Sequence, residues 1–258
     1  MTATTAVWKK EFRRELCTWK SSLWLVVASL LLSFTSYLLL TNKELSLLDQ
    51  TELMWLLAKV IIGVALLIVA IEASATVAGE FESGTAESVL LTPLSLWDFV
   101  KGKFLSVLTL WTMLFAVSLP YIVVAATGSG ETLAFIAYAA LLGTLVVIGF
   151  TAFIFGLALF FRSSKNTLMT SLVTLLALAA PALFSSTLKT GPVLQAVSAV
   201  NPVENVFAAL DYVLVDAKFS PLSNAQYLLP LLIFCVVTVL FLWYAVRTAS
   251  RQAVVQHE

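Results

Sequence analysis

Six long apolar runs constrain this chain more than any other feature. They lie at about 23–41, 53–78, 104–127, 132–161, 168–187 and 227–247. Each approaches or exceeds the roughly 20 residues a helix needs to cross a hydrocarbon layer. None alternates polar with apolar positions, so helices fit them and barrel strands do not. Composition agrees: the chain is 60% hydrophobic and 12% charged, against about half and about a quarter in a soluble domain. The expected fold is an all-α integral membrane protein, one transmembrane domain spanning residues 1–258 with six transmembrane helices.

Charge narrows the function classes. A formal net charge of +0 argues against a nucleic-acid partner. Cys17 and Cys235 fall in different segments and suggest neither a disulfide framework nor a metal site. The one histidine, His257, stands at the end of the sequence, which argues against haem, zinc-hydrolase or histidine-relay chemistry. The N-terminus does not read as a cleavable signal, because its basic stretch carries Trp8, Phe12 and Trp19 and the following run is long enough to span. Basic residues then set the orientation. With the N-terminus in the cytoplasm, so are Lys9, Lys10, Arg13, Arg14, Lys20, Lys101, Lys103, Arg162, Lys165, Arg247 and Arg251, eleven of the fifteen Lys and Arg. Lys43, Lys189 and Lys218 fall outside, and Lys59 lies within the second span. The expectation is a multi-pass protein of the plasma or inner membrane with both termini cytoplasmic.

Three segments outside the spans have patterns of their own. Over 6–22, Trp8, Phe12, Leu16 and Trp19 share one helical face with Leu23, and the basic residues lie off it. This predicts an amphipathic helix lying along the inner leaflet. In the outer loop at 188–226, Asn201-Pro202-Val203-Glu204 reads as a helix start. Val203, Val206, Phe207, Leu210, Val213 and Leu214 make its apolar face, so this helix rests on or dips into the membrane domain. In the fourth run, Ala139/Gly143, Ala152/Gly156 and Gly149 would let a neighbouring backbone approach closely.

The third segment is the cytoplasmic loop 79–102, which contains "EFESGTAESVLLTPLS" at 80–95. Gly84 breaks the incoming helix and Thr85 is placed to cap a short one over 85–91. Thr92-Pro93 ends it, since a residue before proline avoids helical geometry. Ser95, with Asp98 three residues on, opens the next helix. A short helix tethered to two spans transmits force, and Glu80, Glu82 and Glu87 offer charge to a basic partner.

The stretch "GEFESGTAESVLLTPLSLWDFVKGK" resembles the signature loop of ABC-2-type transporter permeases, E-x-G-T-x-E-x-x-L-x-T-P-L-S followed by Gly-Lys. The matching residues are Glu82, Gly84, Thr85, Glu87, Leu90, Thr92, Pro93, Leu94, Ser95, Gly102 and Lys103. The order of elements is similar along nearly the whole length. The resemblance implies a single permease domain, the membrane subunit of an ATP-binding-cassette exporter. It implies that Glu80, Glu82, Gly84, Thr85, Glu87, Leu90, Thr92 and Pro93 belong to a coupling helix docking on a separate ATPase. It also implies two ATPase subunits and a second permease protomer, the same or different. ATP and Mg would sit on the partner ATPase, since this chain has no Gly-x-x-x-x-Gly-Lys-Ser/Thr motif and is expected to bind no cofactor. An alternative within the same fold is an ATP-driven mechanical subunit acting on an extracytoplasmic partner without moving a solute. A polytopic enzyme is disfavoured by scattered carboxylates and the lack of an internal histidine.

Ionisable residues inside a membrane are candidates for function. Lys59 and Glu72 are the two in the second span, separated by about 20 Å along one straight helix. The plainer expectation is that Lys59 snorkels outward and Glu72 lies near the inner interface. Few charges in the spans favour a hydrophobic or amphipathic cargo.

Overall fold

The fold was read from a computed structural model of the full chain, which describes residues 4–5, 7–10, 12, 19–41, 50–85, 95–126, 132–183, 191–214 and 225–255. The described residues are helical apart from short links and contain no strand. In a lipid environment every backbone N–H and C=O must find its partner within the segment, and a helix does this without a neighbour. After the N-terminal helical residues come α1 (Trp19–Thr41), α2 (Gln50–Glu82), α3 (Leu96–Ala125), α4 (Thr132–Phe161) and α5 (Ser164–Leu183). Then follow α6 (Pro192–Val200), α7 (Pro202–Leu214) and α8 (Ala225–Val255).

Among the described residues, five helices are long and apolar enough to cross a membrane: Ser21–Leu39 of α1, all of α2, α3 and α4, and Ala225–Arg251 of α8. The run expected at 168–187 coincides with α5, whose first residues are Ser164, Lys165 and Asn166, and continues past the described residues. Pro120, Pro181 and Pro230 all lie inside continuous helices.

Helices α2 and α4 form the buried centre and α1 is the most exposed span. Helix α2 touches α1, α3, α4, α5 and α7. Its core stripe includes Leu57, Ile61, Ala65, Ile68, Ala73 and Val77. Helix α4 packs most extensively on α8. The small residues read from the sequence account for that closeness: a Cβ at Gly149 would stand 2.6 Å from Phe234, and one at Gly156 would overlap Phe241. Without a hydrophobic drive between helices in lipid, such close van der Waals contact is what holds a pair. Aromatic rings fill the rest of that seam, with Phe160 stacked on Phe241 at 5.7 Å.

Helix α7 dips into the bundle. It contacts α2, α4, α5 and α8, and Val203, Val206, Ala209, Leu210 and Val213 are buried. Its start follows the sequence grammar: Asn201 Oδ1 accepts from the N–H of Val203 at 3.0 Å and of Glu204 at 3.4 Å. The Asn201 amide donates to the Leu178 carbonyl of α5 at 2.6 Å. The Asn205 amide donates to the carbonyls of Asn201 and Ala199, at 2.8 and 3.1 Å. Helix α6, which the pattern reading did not separate from the loop, begins with Gly191 as cap and Pro192 at its first position.

Candidate functional site

The segment expected to grip a partner leaves α2 at Gly84 and re-enters at Ser95. Residues 86–94, and with them Glu87, Leu90, Thr92 and Pro93, lie outside the described residues. Both anchors are described, and both follow local rules. Gly84 has φ +70, a left-handed conformation that carries no steric penalty for glycine. Its N–H donates to the Phe81 carbonyl at 3.2 Å, and the N–H of Ser83 donates to that of Gly79 at 3.0 Å. The Thr85 hydroxyl turns back on the helix just ended: it donates to the Glu80 carbonyl at 3.3 Å and lies 2.9 Å from the Ser83 hydroxyl. So Thr85 closes α2 with its side chain. Thr85 is itself helical, the first such residue after the turn at Ser83–Gly84, and the rest of the helix expected over 85–91 lies outside the described residues.

At the other anchor, Ser95 caps α3. Its hydroxyl accepts from the Asp98 N–H at 3.1 Å and donates to the Asp98 carboxylate at 2.6 Å. The serine cap read from the sequence is present, and the Asp98 carboxylate meets the Ser95 hydroxyl. Thr4 joins it, donating to the other Asp98 oxygen at 2.8 Å.

Three consecutive residues at the end of α2 reach three different places. Glu80 pairs with Lys103 of α3. The Lys103 side chain is 1% exposed and the Glu80 side chain 19%, so the pair is largely out of water. Phe81 lies 5.7 Å beneath the Arg162 guanidinium in the link between α4 and α5. Glu82 accepts the N–H of Ser164, the first residue of α5, at 3.2 Å. A carboxylate there satisfies an orphan amide and complements the positive end of the α5 dipole. The acidic residues expected to face a partner are therefore partly engaged within the chain: Glu80 and Glu82 tie α2 to α3 and α5.

The N-terminal residues complete this end. Val7 seats against Gly102, where a Cβ would fall 2.7 Å from the Val7 Cβ. Trp8 donates its indole N–H to the Thr109 hydroxyl at 3.3 Å, and its ring meets Phe12 at 5.4 Å between centroids. The Gly-Lys pair of the signature thus has two uses. Gly102 leaves room for the N-terminal helical residues, and Lys103 holds the end of α2.

Neither Gly102 nor Lys103 stood among the expected site residues, yet the signal for Lys103 was present. Phe99, Val100, Lys103, Ser106, Val107 and Leu110 form the buried face of α3. A lysine on a core stripe requires a buried carboxylate to meet it.

The intramembrane candidates of α2 lie apart from this site and from each other. Lys59 folds its ammonium back over the ring of Trp55, 3.1 Å from the centroid, with Phe207 of α7 at 5.8 Å. Trp55 in turn donates to the Phe207 carbonyl at 2.9 Å. Glu72 accepts the indole N–H of Trp24 from α1. Each joins α2 to a neighbour.

Taken together, Glu80–Lys103 and Glu82–Ser164 tie the end of α2 to α3 and α5 beside both anchors of the loop. No curated protein matches the sequence. A family model described as ABC-2 family transporter protein matches residues 5–251, a range that takes in the N-terminal helical residues, the signature loop and nearly all of the last helix. That family is a membrane transport subunit rather than a catalytic one, associated in general with an ABC ATPase and arranged as a dimer. This chain belongs to the ABC-2 transporter family and is a multi-pass membrane permease.

Proposed function

We propose that this permease moves a substrate outward across the plasma or inner membrane, using ATP hydrolysed by a separate ATPase that docks on residues 83–95. The observation that carries the reading is the wiring of both anchors: a partner pulling on this short loop acts on Glu80–Lys103 and Glu82–Ser164 at once. Helix rods fixed at one end convert that pull into tilt. The working assembly on this reading is two permease protomers and two ATPases, with ATP and Mg on the ATPases. Six spans bring both termini and the 79–102 loop to the cytoplasmic side, with α5 as the fifth span and α8 as the sixth. Its 20 residues reach about 30 Å, enough for the hydrocarbon core, and it packs on α2 and α4 within the bundle.

Glu87, Leu90, Thr92 and Pro93 supply the docking face in this scheme. Glu80 and Glu82 hold it in place, with Gly84 and Thr85 shaping its first turn. The test is co-purification with the cognate ATPase and substrate-stimulated ATP hydrolysis in nanodiscs. Charge reversal at Glu82 and Glu87 together is expected to abolish both while membrane insertion is unchanged. Undiminished association and transport in the doubly reversed protein would sink the assignment.

A further inference from the structure

The link between α4 and α5 consists of Arg162 and Ser163, and the chain breaks two local rules around it. Arg162 has φ +48, the one positive φ outside glycine among the described residues. Its N–H donates to the Ala158 carbonyl at 2.9 Å and so ends α4. Helices commonly place glycine at this position, because a side chain is strained there. Lys165 lies in the first turn of α5, which carries no acid. A cation there meets the positive end of the helix dipole, where an acid is favoured. Arg162 and Lys165 are both exposed, so the core does not require either of them.

The end of α2 offsets both departures. Glu82 supplies the carboxylate that the first turn of α5 lacks, accepting the Ser164 N–H at 3.2 Å. Phe81 lies 5.7 Å from the Arg162 guanidinium. A Cβ on Gly79 would stand 3.4 Å from the Ser164 hydroxyl. The link is thus braced on the residues that lead into the signature loop. Exposed cations kept against local preference, and supported by a neighbouring element, mark a surface retained for contact. From these observations we propose that Arg162 and Lys165 form a second docking point beside the loop at 83–95 and meet carboxylates of the ATPase. This rests on the docking reading above and adds the charge of the partner's face. A guanidinium offers a carboxylate two parallel hydrogen bonds, and opposite charges at a rim make association salt-dependent. Bracing on the root of the loop, beyond charge alone, favours the ATPase over anionic lipid head groups.

The test is binding of the full-length permease to its cognate ATPase in detergent free of anionic lipid. Glycine accepts the left-handed backbone, so Arg162→Gly is expected to unfold at the parent's temperature or above, yet to bind about threefold more weakly. Adding Lys165→Gln is expected to bring the loss to about tenfold. The double variant also loses most of the parent's weakening between about 0.05 and 0.3 M salt. Arg162→Lys, which keeps the charge, retains most of the binding. Parent-like binding and salt response in the double variant would overturn the proposal. So would a lowered unfolding temperature in Arg162→Gly with binding of the folded protein unchanged, the mark of an arginine that only holds Phe81. A defect seen in phosphatidylglycerol nanodiscs and absent in detergent would assign the cations to head groups instead. Undiminished binding after charge reversal at Glu82 and Glu87 counts against the docking reading itself. Lost binding there, with parent-like binding of the link variants, counts against this proposal alone.

Discussion

The two ends of the bundle close interrupted helices with different chemistry. At the signature-loop end the closing groups are ionic: Glu80 with the buried Lys103, and Glu82 on the first amide of α5. At the α6–α7 end they are neutral amides: Asn201 and Asn205 satisfy the carbonyls of Leu178, Ala199 and Asn201 and the first amides of α7. Charge-assisted bonds are roughly twice as strong as neutral ones and reach across to other helices. Amides mostly stitch backbone that is already close. One end is built to hold several helices to a moving part, and the other to seat a short helix within the bundle.

The sharpest way to break that contrast is Lys103→Ala. It leaves Glu80 without its partner at a largely buried position, and removing one member of a buried pair costs about 3–5 kcal/mol. Thermal unfolding in detergent is expected to show the full loss. The double substitution Lys103→Met with Glu80→Met is expected to recover most of it, because two apolar groups leave no orphan charge. Equal instability of the double and single variants would mean that the pair is not the closing element.

Asn201→Ala probes the neutral end. It removes the cap of α7 and the donor to Leu178, an expected loss of about 2 kcal/mol. The same unfolding measurement reads it, and substrate-stimulated ATPase activity per folded molecule should stay within about twofold. A selective loss of stimulation would erase the functional distinction between the ends. The smallest expected effect belongs to Gly84→Ala, where a left-handed residue gains a Cβ at a cost of about 1 kcal/mol. Its use is in the contrast of readouts: stability changes little, whereas coupling falls because the loop leaves α2 in a different direction. Stimulation equal to that of the parent protein would show that the exit angle is not transmitted.

Legibility in the sequence followed the distance over which each interaction acts. Ser95 with Asp98, Asn201 with Pro202, and Gly84 after a long apolar run are settled within a few residues, and each stands where its pattern placed it. The signature loop was legible for the same reason. Glu80 with Lys103 and Glu82 with Ser164 were not, because they join residues 23 and 82 positions apart. A carboxylate at the end of a helix reads the same whether it faces a partner protein or a neighbouring helix. Thr85 carries both readings at once: it is helical directly after the turn, where a new helix was expected, and its hydroxyl also closes the old one.

The sequence by itself determined that the chain is helical, that it lives in lipid, where its principal breaks fall and to which family its loop belongs. Those properties follow from run length, composition and local capping, which need no knowledge of neighbours. Tertiary structure decided which small residues of α4 meet the aromatic rings of α8, that α7 sinks into the bundle, and that the acids at the end of α2 bind inward. The physical reason is that lipid supplies no hydrophobic drive between helices, so their arrangement depends on shape and on a few polar contacts between residues distant in sequence.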